Sequence, residues 1–291
     1  MARPVRSNSV RRASPWMLLG LALAIPAPAK ALTLYGLDHH ADRTVTLDPA
    51  TGALTAVGSI TPVASNPSAL ATAPDGTLYA ADTGTDLLYV VDPGTGAFSV
   101  VGSFAYGNSV LNSTISAMTF IGSVLYGFDG ITDTLVTIDT STGQATQAGA
   151  PQPVSSQYSG NRISGMAWDG TTLYGTDPTS GTVNGTWVSI DVATGTISKL
   201  GTLSVTGPEA LAYDPSTDTL YLAEARFDLF YTVDRSTGTL TLVGANGGGL
   251  GPNNTAIQGM SFAVPEPAPA VTLAAGLAAF LGRRRGRTAP R

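Results

Sequence analysis

Carboxylates recur at one position along the chain and are the first candidates for chemistry. An acidic residue stands three positions after the tyrosine of each of five Leu-Tyr pairs. Grouped on one face, carboxylates would coordinate Ca²⁺, and one of them could be a partner in the carboxylate pair of glycoside hydrolysis. A residue needed in every copy of a pattern is more often architectural, which favours turn capping. We call this set the acidic rim: Asp38, Asp82, Asp129, Asp177 and Glu224.

The histidines are the second candidates. His39 and His40, the two histidines of the chain, stand between Asp38 and Asp42. Adjacent side chains on an extended chain point to opposite sides, so at most one could join those carboxylates as a metal ligand, and a polar loop is favoured. Gly-x-Ser-x-Gly, Walker-type and His-Glu-x-x-His motifs are absent. The common hydrolase and nucleotide-binding signatures are therefore missing.

Charge and cysteine content narrow the functional classes. Between Leu32 and Val264, seventeen Asp and two Glu stand against five basic residues, a net charge of −14. So acidic a body disfavours nucleic acid and anionic membrane surfaces as partners. The chain has no cysteine, which excludes disulfides and thiolate metal sites, so its stability must come from its core.

An internal repeat predicts the elements that position these residues. Each repeat unit contains three short runs of alternating β-branched and aromatic residues, which are typical of strands. An Asp-x-x-Thr-Gly segment joins the last two runs, where Asp accepts backbone N–H groups and Gly supplies a positive φ. The five units begin at Leu34, Leu78, Leu125, Leu173 and Leu220.

The order of the strands predicts a closed ring. A fourth strand precedes four of the units, but none precedes the first, and the displaced copy "TAIQGMSFAV" follows the last unit at 255–264. A β-propeller uses such a strand to complete its first blade, and closure removes exposed sheet edges, whereas an open solenoid predicts no displaced strand. We therefore predict an all-β fold over 32–264, a five-bladed β-propeller of four-stranded blades. Its repeated Asp-Gly-x-Leu-Tyr-x-x-Asp pattern resembles the NHL and YVTN-like propeller families, which implies the fold and not the ligand.

The strand predicted to line the channel offers one place where the copies disagree. Three copies carry Ser at its start, whereas one carries Glu and another Gln. Because a propeller commonly binds its ligand at a channel mouth, we predict a ligand site at this position. We call the set the polar ring: Ser68, Ser116, Ser164, Glu209 and Gln258.

Both ends of the chain have targeting features. Four arginines precede the apolar run "WMLLGLALAI", and small residues before Leu32 predict a cleaved signal peptide at 1–31. Near the C-terminus an uncharged run, Ala268–Gly282, would span about 22 Å as a helix, short of the roughly 30 Å hydrocarbon core. Such a helix would anchor the protein only if the bilayer thins or the arginines snorkel to the interface. A frayed, Ala-rich tail is an equally good interpretation of this run. The flanking residues are Val264, Pro265, Glu266, Pro267, Arg283, Arg284 and Arg285.

This order of motif, apolar run and arginines over 265–291 resembles the PEP-CTERM sorting signal of Gram-negative bacteria. The resemblance implies export, inner-membrane retention on the periplasmic side through a transmembrane helix, and processing by an exosortase-type enzyme. It also implies a final location at the cell surface or in an exopolysaccharide matrix. It says nothing about the chemistry of the propeller.

Together these features predict an exported, surface- or matrix-associated propeller without enzymatic activity that binds glycan or protein. The expected partners are an exosortase-type enzyme and extracellular polysaccharide or matrix protein. No cofactor is expected apart from calcium at the acidic rim. The alternative is a glycan-active enzyme that uses Glu209 and a rim carboxylate.

Overall fold

The fold is built from β-strands whose side chains alternate between the two faces of each sheet. A computed structural model describes residues 32–60, 64, 66–104, 114–149, 163–178, 184–245 and 256–263. Twenty strands and no helix fall within these ranges, so no described helix is long and apolar enough to cross a membrane. The predicted signal peptide and the tail at 265–291 lie outside the described residues.

The strands form five antiparallel sheets of four, here called blades. Each blade is given from its inner to its outer strand. Blade 1 contains β20 (Ile257–Ala263), β1 (Thr33–Asp38), β2 (Arg43–Leu47) and β3 (Leu54–Ser59). Blade 2 contains β4 (Pro67–Thr72), β5 (Leu78–Asp82), β6 (Leu87–Val91) and β7 (Phe98–Ser103).

The other three blades repeat the same order. Blade 3 contains β8 (Ile115–Ile121), β9 (Val124–Asp129), β10 (Thr134–Ile138) and β11 (Ala145–Gln147). Blade 4 contains β12 (Gly165–Trp168), β13 (Leu173–Asp177), β14 (Thr186–Ile190) and β15 (Ile197–Thr202). Blade 5 contains β16 (Pro208–Asp214), β17 (Thr219–Glu224), β18 (Leu229–Val233) and β19 (Leu240–Ala245).

The displaced C-terminal strand closes the ring, which confirms the predicted five-bladed propeller. β20 pairs with β1 in antiparallel register from Thr33 opposite Ala263. It also packs between β4 and β16, the inner strands of the two neighbouring blades. The apolar core is correspondingly divided into five clusters, each lying between two adjacent blades, and the cluster between blades 5 and 1 is built like the rest.

The glycine that ends each repeat unit lets neighbouring blades approach closely. A β-carbon at Gly102 would lie 2.0 Å from the carbonyl oxygen of Thr142 in the Asp-x-x-Thr-Gly turn of the next blade. At Gly244 it would lie 2.0 Å from the carbonyl oxygen of Thr51, across the junction of blades 5 and 1. No other residue type fits such a contact without moving the backbone.

The Asp-x-x-Thr-Gly turns have the predicted chemistry. Asp92 accepts hydrogen bonds from the backbone N–H groups of Gly94 at 2.7 Å and Thr95 at 3.1 Å. Gly96 closes the turn with a φ of 71°. These hydrogen bonds stabilise the charged form and lower the pKa of Asp92, so the repeated aspartates are structural. The equivalent glycines, all with positive φ, are Gly52, Gly143, Gly195 and Gly238.

Candidate functional site

The channel through the ring is lined by three layers of side chains, one layer from every second residue of the inner strands. The polar ring forms the layer at one end. The second layer, here called the plug ring, consists of Leu70, Met118, Met166, Leu211 and Met260. The third layer, here called the aromatic ring, consists of Thr72, Phe120, Trp168, Tyr213 and Phe262.

The polar ring is aimed into the channel by β-bulges. Four of its members are the extra residue where the inner strand shifts register against its neighbour, and Ser164 directly precedes β12. A bulge inserts one unpaired residue and turns its side chain away from the normal alternation. The four bulged residues are Ser68, Ser116, Glu209 and Gln258.

The three serines of the polar ring join neighbouring blades. Ser68 donates a hydrogen bond to the carbonyl oxygen of Ile115 at 2.7 Å, the residue before the next ring member. Ser116 donates in the same way to Ile163 at 2.6 Å, and Ser164 to Pro208 at 2.5 Å. Sequence reasoning missed this role because it depends on the register between blades.

Glu209 interrupts this chain of hydrogen bonds. The equivalent acceptor for its side chain is the carbonyl oxygen of Ile257, which precedes Gln258 in the next blade. A carboxylate accepts hydrogen bonds and has no proton to donate to a carbonyl. Glu209 therefore cannot make the bond that the serines make, so at this position the chain departs from its own structural rule.

The polar ring lines a cavity of about 240 Å³, here called the polar mouth. All five residues that the sequence predicts for the ligand site contribute to it. Asn66, Thr83 and Pro178 complete the lining, so among the described residues Glu209 is its only charged group. The structure thus brings the predicted residues together, while ligand binding there remains a prediction.

The acidic rim is not an open rim of carboxylates. Its members end the second strand of each blade, as predicted, but they are at most 3% exposed. Asp82 accepts hydrogen bonds from the backbone N–H groups of Gly84 and Thr85, both at 2.8 Å, and Glu224 accepts from Phe227 at 2.7 Å. These are the contacts of turn caps, and they leave the carboxylates buried beneath the channel mouth rather than facing solvent.

The described residues give no support for a metal at the rim or at the histidines. No group of three acidic or histidine side chains converges within that part of the chain. Asp38 instead pairs with Arg43 at 2.9 Å. His39 donates its backbone N–H to the carbonyl oxygen of Ala256 at 3.0 Å, and its buried Nδ1 has no hydrogen-bond partner among the residues that the structure describes.

A second set of carboxylates, missed from the sequence, stands four residues after the acidic rim. These aspartates have left-handed backbone conformations with φ between 46° and 57°. Burial raises the pKa of Asp86, and the charges of Asp82 and Asp129 add to it. Burial also raises the pKa of Asp133 and of Glu224. The repeated spacing was a visible signal for the set Asp42, Asp86, Asp133 and Asp228.

The larger cavity lies at the other end of the channel and was also missed. This aromatic mouth has a volume of about 360 Å³ and includes the whole aromatic ring in its lining. The plug ring separates it from the polar mouth, leaving a void of about 10 Å³, near the lower limit of roughly 10–15 Å³ that one water needs. The sequence signal was an aromatic residue four positions after the polar ring in four of five copies.

Ion pairs fix the edge of the aromatic mouth. Arg235 contacts Asp169 at 2.9 Å and Asp218 at 2.7 Å. The hydroxyl of Tyr213 donates to Asp218 at 2.8 Å. These hydrogen bonds, that of Tyr213 first, hold the pKa of Asp218 below its usual range. The carboxylates at this edge are therefore charged but already paired.

Comparison with known proteins supports the fold and a repeat family. Residues 33–162 match a family described as a repeat of unknown function (DUF6923). A comparison with curated proteins gave no match. A chain from the crystal structure of a nidogen/laminin complex aligns with a TM-score of 0.53 and 11% identity, over 80% of this chain and 98% of that one.

An enzyme also shares the fold. A gluconolactonase from Xanthomonas campestris aligns with a TM-score of 0.51 and 13% identity, over 78% of this chain and 74% of that one. Propeller scaffolds carry many unrelated functions. Identities this low show the architecture alone, so neither neighbour assigns a ligand or an activity to this chain.

Proposed function

We propose that the protein is an exported, non-enzymatic binding propeller that receives its ligand at the polar mouth. The observation that carries this proposal is Glu209. It occupies a bulged position where three other blades use a serine to join their neighbour. Departures from a structural rule concentrate at functional sites. Glu209 and Gln258 are accordingly the residues that we expect to contact ligand.

The lining favours a ligand that is recognised by hydrogen bonds. Amide, hydroxyl and carboxylate groups surround the polar mouth, which matches the hydroxyl groups of a glycan. Its volume of about 240 Å³ is below the roughly 300–1,000 Å³ of pockets for drug-sized ligands. The polar mouth would therefore hold one end or one branch of a longer molecule, and a protein side chain is the competing occupant.

The arrangement of carboxylates favours binding over glycoside hydrolysis. Hydrolysis of a glycosidic bond uses two carboxyl groups about 5–10 Å apart that flank it. Glu209 is the only carboxylate among the described residues of the polar mouth. The rim carboxylates that would have to be its partner are buried and cap turns.

The ends of the chain supply the proposed location. We propose that the signal at 1–31 exports the protein and that the tail at 265–291 holds it at the inner membrane until an exosortase-type enzyme processes it. Replacing Arg283, Arg284 and Arg285 with Ser should then move the protein out of the membrane fraction, because the short apolar run needs its charged stop. Unchanged fractionation of this variant would contradict the proposed anchor.

A glycan array probed with the full chain, with and without calcium, tests the binding proposal. We expect selective binding that the Glu209→Gln variant loses, and no release of reducing ends from the bound glycans. Release of reducing ends that depends on Glu209 would instead establish the enzyme. Binding that is equal for wild type and variant would remove the polar mouth as the site.

A further inference from the structure

The aromatic mouth contains two partly buried aromatic side chains that pack on the core but stack on no other aromatic ring among the described residues. Phe120 contacts the ring of Tyr79 at 5.8 Å between centroids, and Phe262 contacts Tyr221 at 5.7 Å, so these two rings join neighbouring blades. Trp168 and Tyr213 make no such ring contact with any described residue. They come from adjacent blades, 4 and 5, and line the same cavity.

Trp168 also carries an unused donor. Its indole N–H meets no hydrogen-bond acceptor among the described residues, whereas that of the buried Trp187 donates to the carbonyl oxygen of Arg235 at 3.0 Å. A tryptophan usually finds a partner for this group when its ring is covered. The half-buried Trp168 thus lines the cavity with a donor that no described residue uses.

Neutral hydroxyl groups stand on the other side of the cavity. Thr72 of blade 2 donates its hydroxyl to that of Ser261 in blade 1 at 2.8 Å. Both residues line the aromatic mouth. A hydroxyl that has accepted one hydrogen bond still has its own proton to donate. The cavity therefore combines an aromatic wall with a hydroxyl wall above the apolar plug ring.

The described residues that line the cavity offer no free charge. Asp169 is the charged residue among its lining, and Arg235 contacts one of its oxygens at 2.9 Å. Its other oxygen accepts from the backbone N–H groups of Thr171 at 2.9 Å and Thr172 at 2.8 Å. Burial alone would raise the pKa of Asp169, but these hydrogen bonds outweigh it and hold the pKa low. A charged ligand would find no unpaired partner here.

We propose that the aromatic mouth is a second binding site, which takes a neutral oligosaccharide. The C–H face of a pyranose carries partial positive charge and stacks on the negative face of an aromatic ring. Trp168 and Tyr213 supply that surface, while the indole N–H, Thr72 and Ser261 meet the sugar hydroxyls. The volume of about 360 Å³ falls within the roughly 300–1,000 Å³ of ligand pockets. This site is separate from the one proposed at the polar mouth.

Calorimetric titration of the full chain in lipid nanodiscs with cellotetraose, chitotetraose and maltotetraose tests the proposal. We expect at least one tetrasaccharide to bind, and Trp168→Ala to weaken it by about tenfold or more. Phe227→Ala is the matched control, because Phe227 is 53% exposed in the turn between β17 and β18 at the opposite end. It should bind like the wild type.

Several outcomes would overturn the second site. These are no binding of any of the three sugars at about 10 mM, unchanged affinity in Trp168→Ala, or 1-hexanol binding in place of sugar, which would indicate an apolar ligand. If Trp168→Ala does not fold, Thr72→Val replaces it and should weaken the same sugar. Binding that Glu209→Gln abolishes and Trp168→Ala leaves intact would place all sugar binding at the polar mouth.

Discussion

The two mouths of the channel are lined by the same five inner strands, but different contacts join the blades at each mouth. At the polar mouth three members of the layer are serines that join neighbouring blades, and Glu209 and Gln258 are the exceptions. At the aromatic mouth two rings pack on neighbouring blades, and the indole N–H of Trp168 has no acceptor within the described part of the chain. At each end, members that join neighbouring blades by one kind of contact thus stand beside members that depart from that pattern.

The two ends also shift carboxylate pKa values in opposite directions. Near the polar mouth, burial raises the pKa of Asp86, Asp133 and Glu224. At the turns of the other end, hydrogen bonds from neighbouring groups lower the pKa of Asp92 and Asp139. The same residue type therefore responds to desolvation at one end and to hydrogen bonding at the other.

Removing β20 should abolish both mouths together and have the largest effect. Deleting 256–263 takes the inner strand from blade 1 and leaves unpaired backbone groups on β1 and open blade faces beside β4 and β16. We expect the protein to unfold or to oligomerise. The control lacks only 265–291 and should unfold like the full chain, as measured by light scattering and thermal unfolding. A monomeric deletion with an unchanged melting temperature would contradict closure of the ring.

Weakening the plug ring, which separates the two mouths, should have the next largest effect on stability. Leu211 is 2% exposed in the plug ring, and Leu211→Ala should cost about 2–5 kcal/mol because a cavity replaces its side chain. Leu242→Ala, at a leucine that is 58% exposed, should change stability by no more than about 0.5 kcal/mol. Urea unfolding of both variants measures the difference. Equal stabilities would mean that the plug ring is not packed.

The serine bonds at the polar mouth predict a smaller loss. Ser116→Ala removes the 2.6 Å hydrogen bond to Ile163 and leaves that carbonyl oxygen unsatisfied, which should cost about 1–3 kcal/mol. The exposed Ser99 of β7 provides the same substitution without such a bond. Chemical denaturation should find Ser99→Ala close to wild type. A Ser116→Ala protein as stable as Ser99→Ala would show that the serines do not join the blades.

The opposite pKa shifts predict opposite pH dependences of stability. The pKa of Asp133 is raised above 3.8, so its stabilising contribution is complete below that value and is lost as pH rises through the folded-state pKa. The pKa of Asp139 is lowered below 3.8, so its contribution is present above that value and is lost as pH falls. The free-energy difference between wild type and Asp133→Asn should therefore decrease with rising pH, and that for Asp139→Asn should increase. Parallel changes in urea titrations would refute the contrast.

The repeats in the sequence predicted the strands and their order. They did not predict features that depend on how residues of neighbouring strands pair. The displaced strand at 255–264 predicted the closed ring, because the first blade is the one that lacks an inner strand. Alignment of the copies predicted the polar ring, because equivalent positions of repeated strands lie in one layer. The bulges at Ser68 and Ser116 depend on how β4 and β8 pair, which spacing does not reveal.

Burial was the feature that the sequence did not reveal. The acidic rim was expected on one face of the ring with turn capping favoured, and Asp82 and Glu224 do cap turns, but their nearly complete burial depends on the turns that enclose them. Trp168 and Tyr213 follow the alternation of a core strand and pack on the core. Their ring neighbours depend on the adjacent blades, so only the structure shows that neither ring stacks on another aromatic ring among the described residues.

The smallest expected effect on stability belongs to the variant that matters most for the proposed function. Glu209→Gln keeps the size of the side chain and restores a donor at the bulge, so the free energy of unfolding should change by no more than about 0.5 kcal/mol. Unfolding and glycan binding should be measured on the same preparation. We expect wild-type stability with lost or weakened binding at the polar mouth. Lowered stability with intact binding would contradict it, because Glu209 would then be a structural cap.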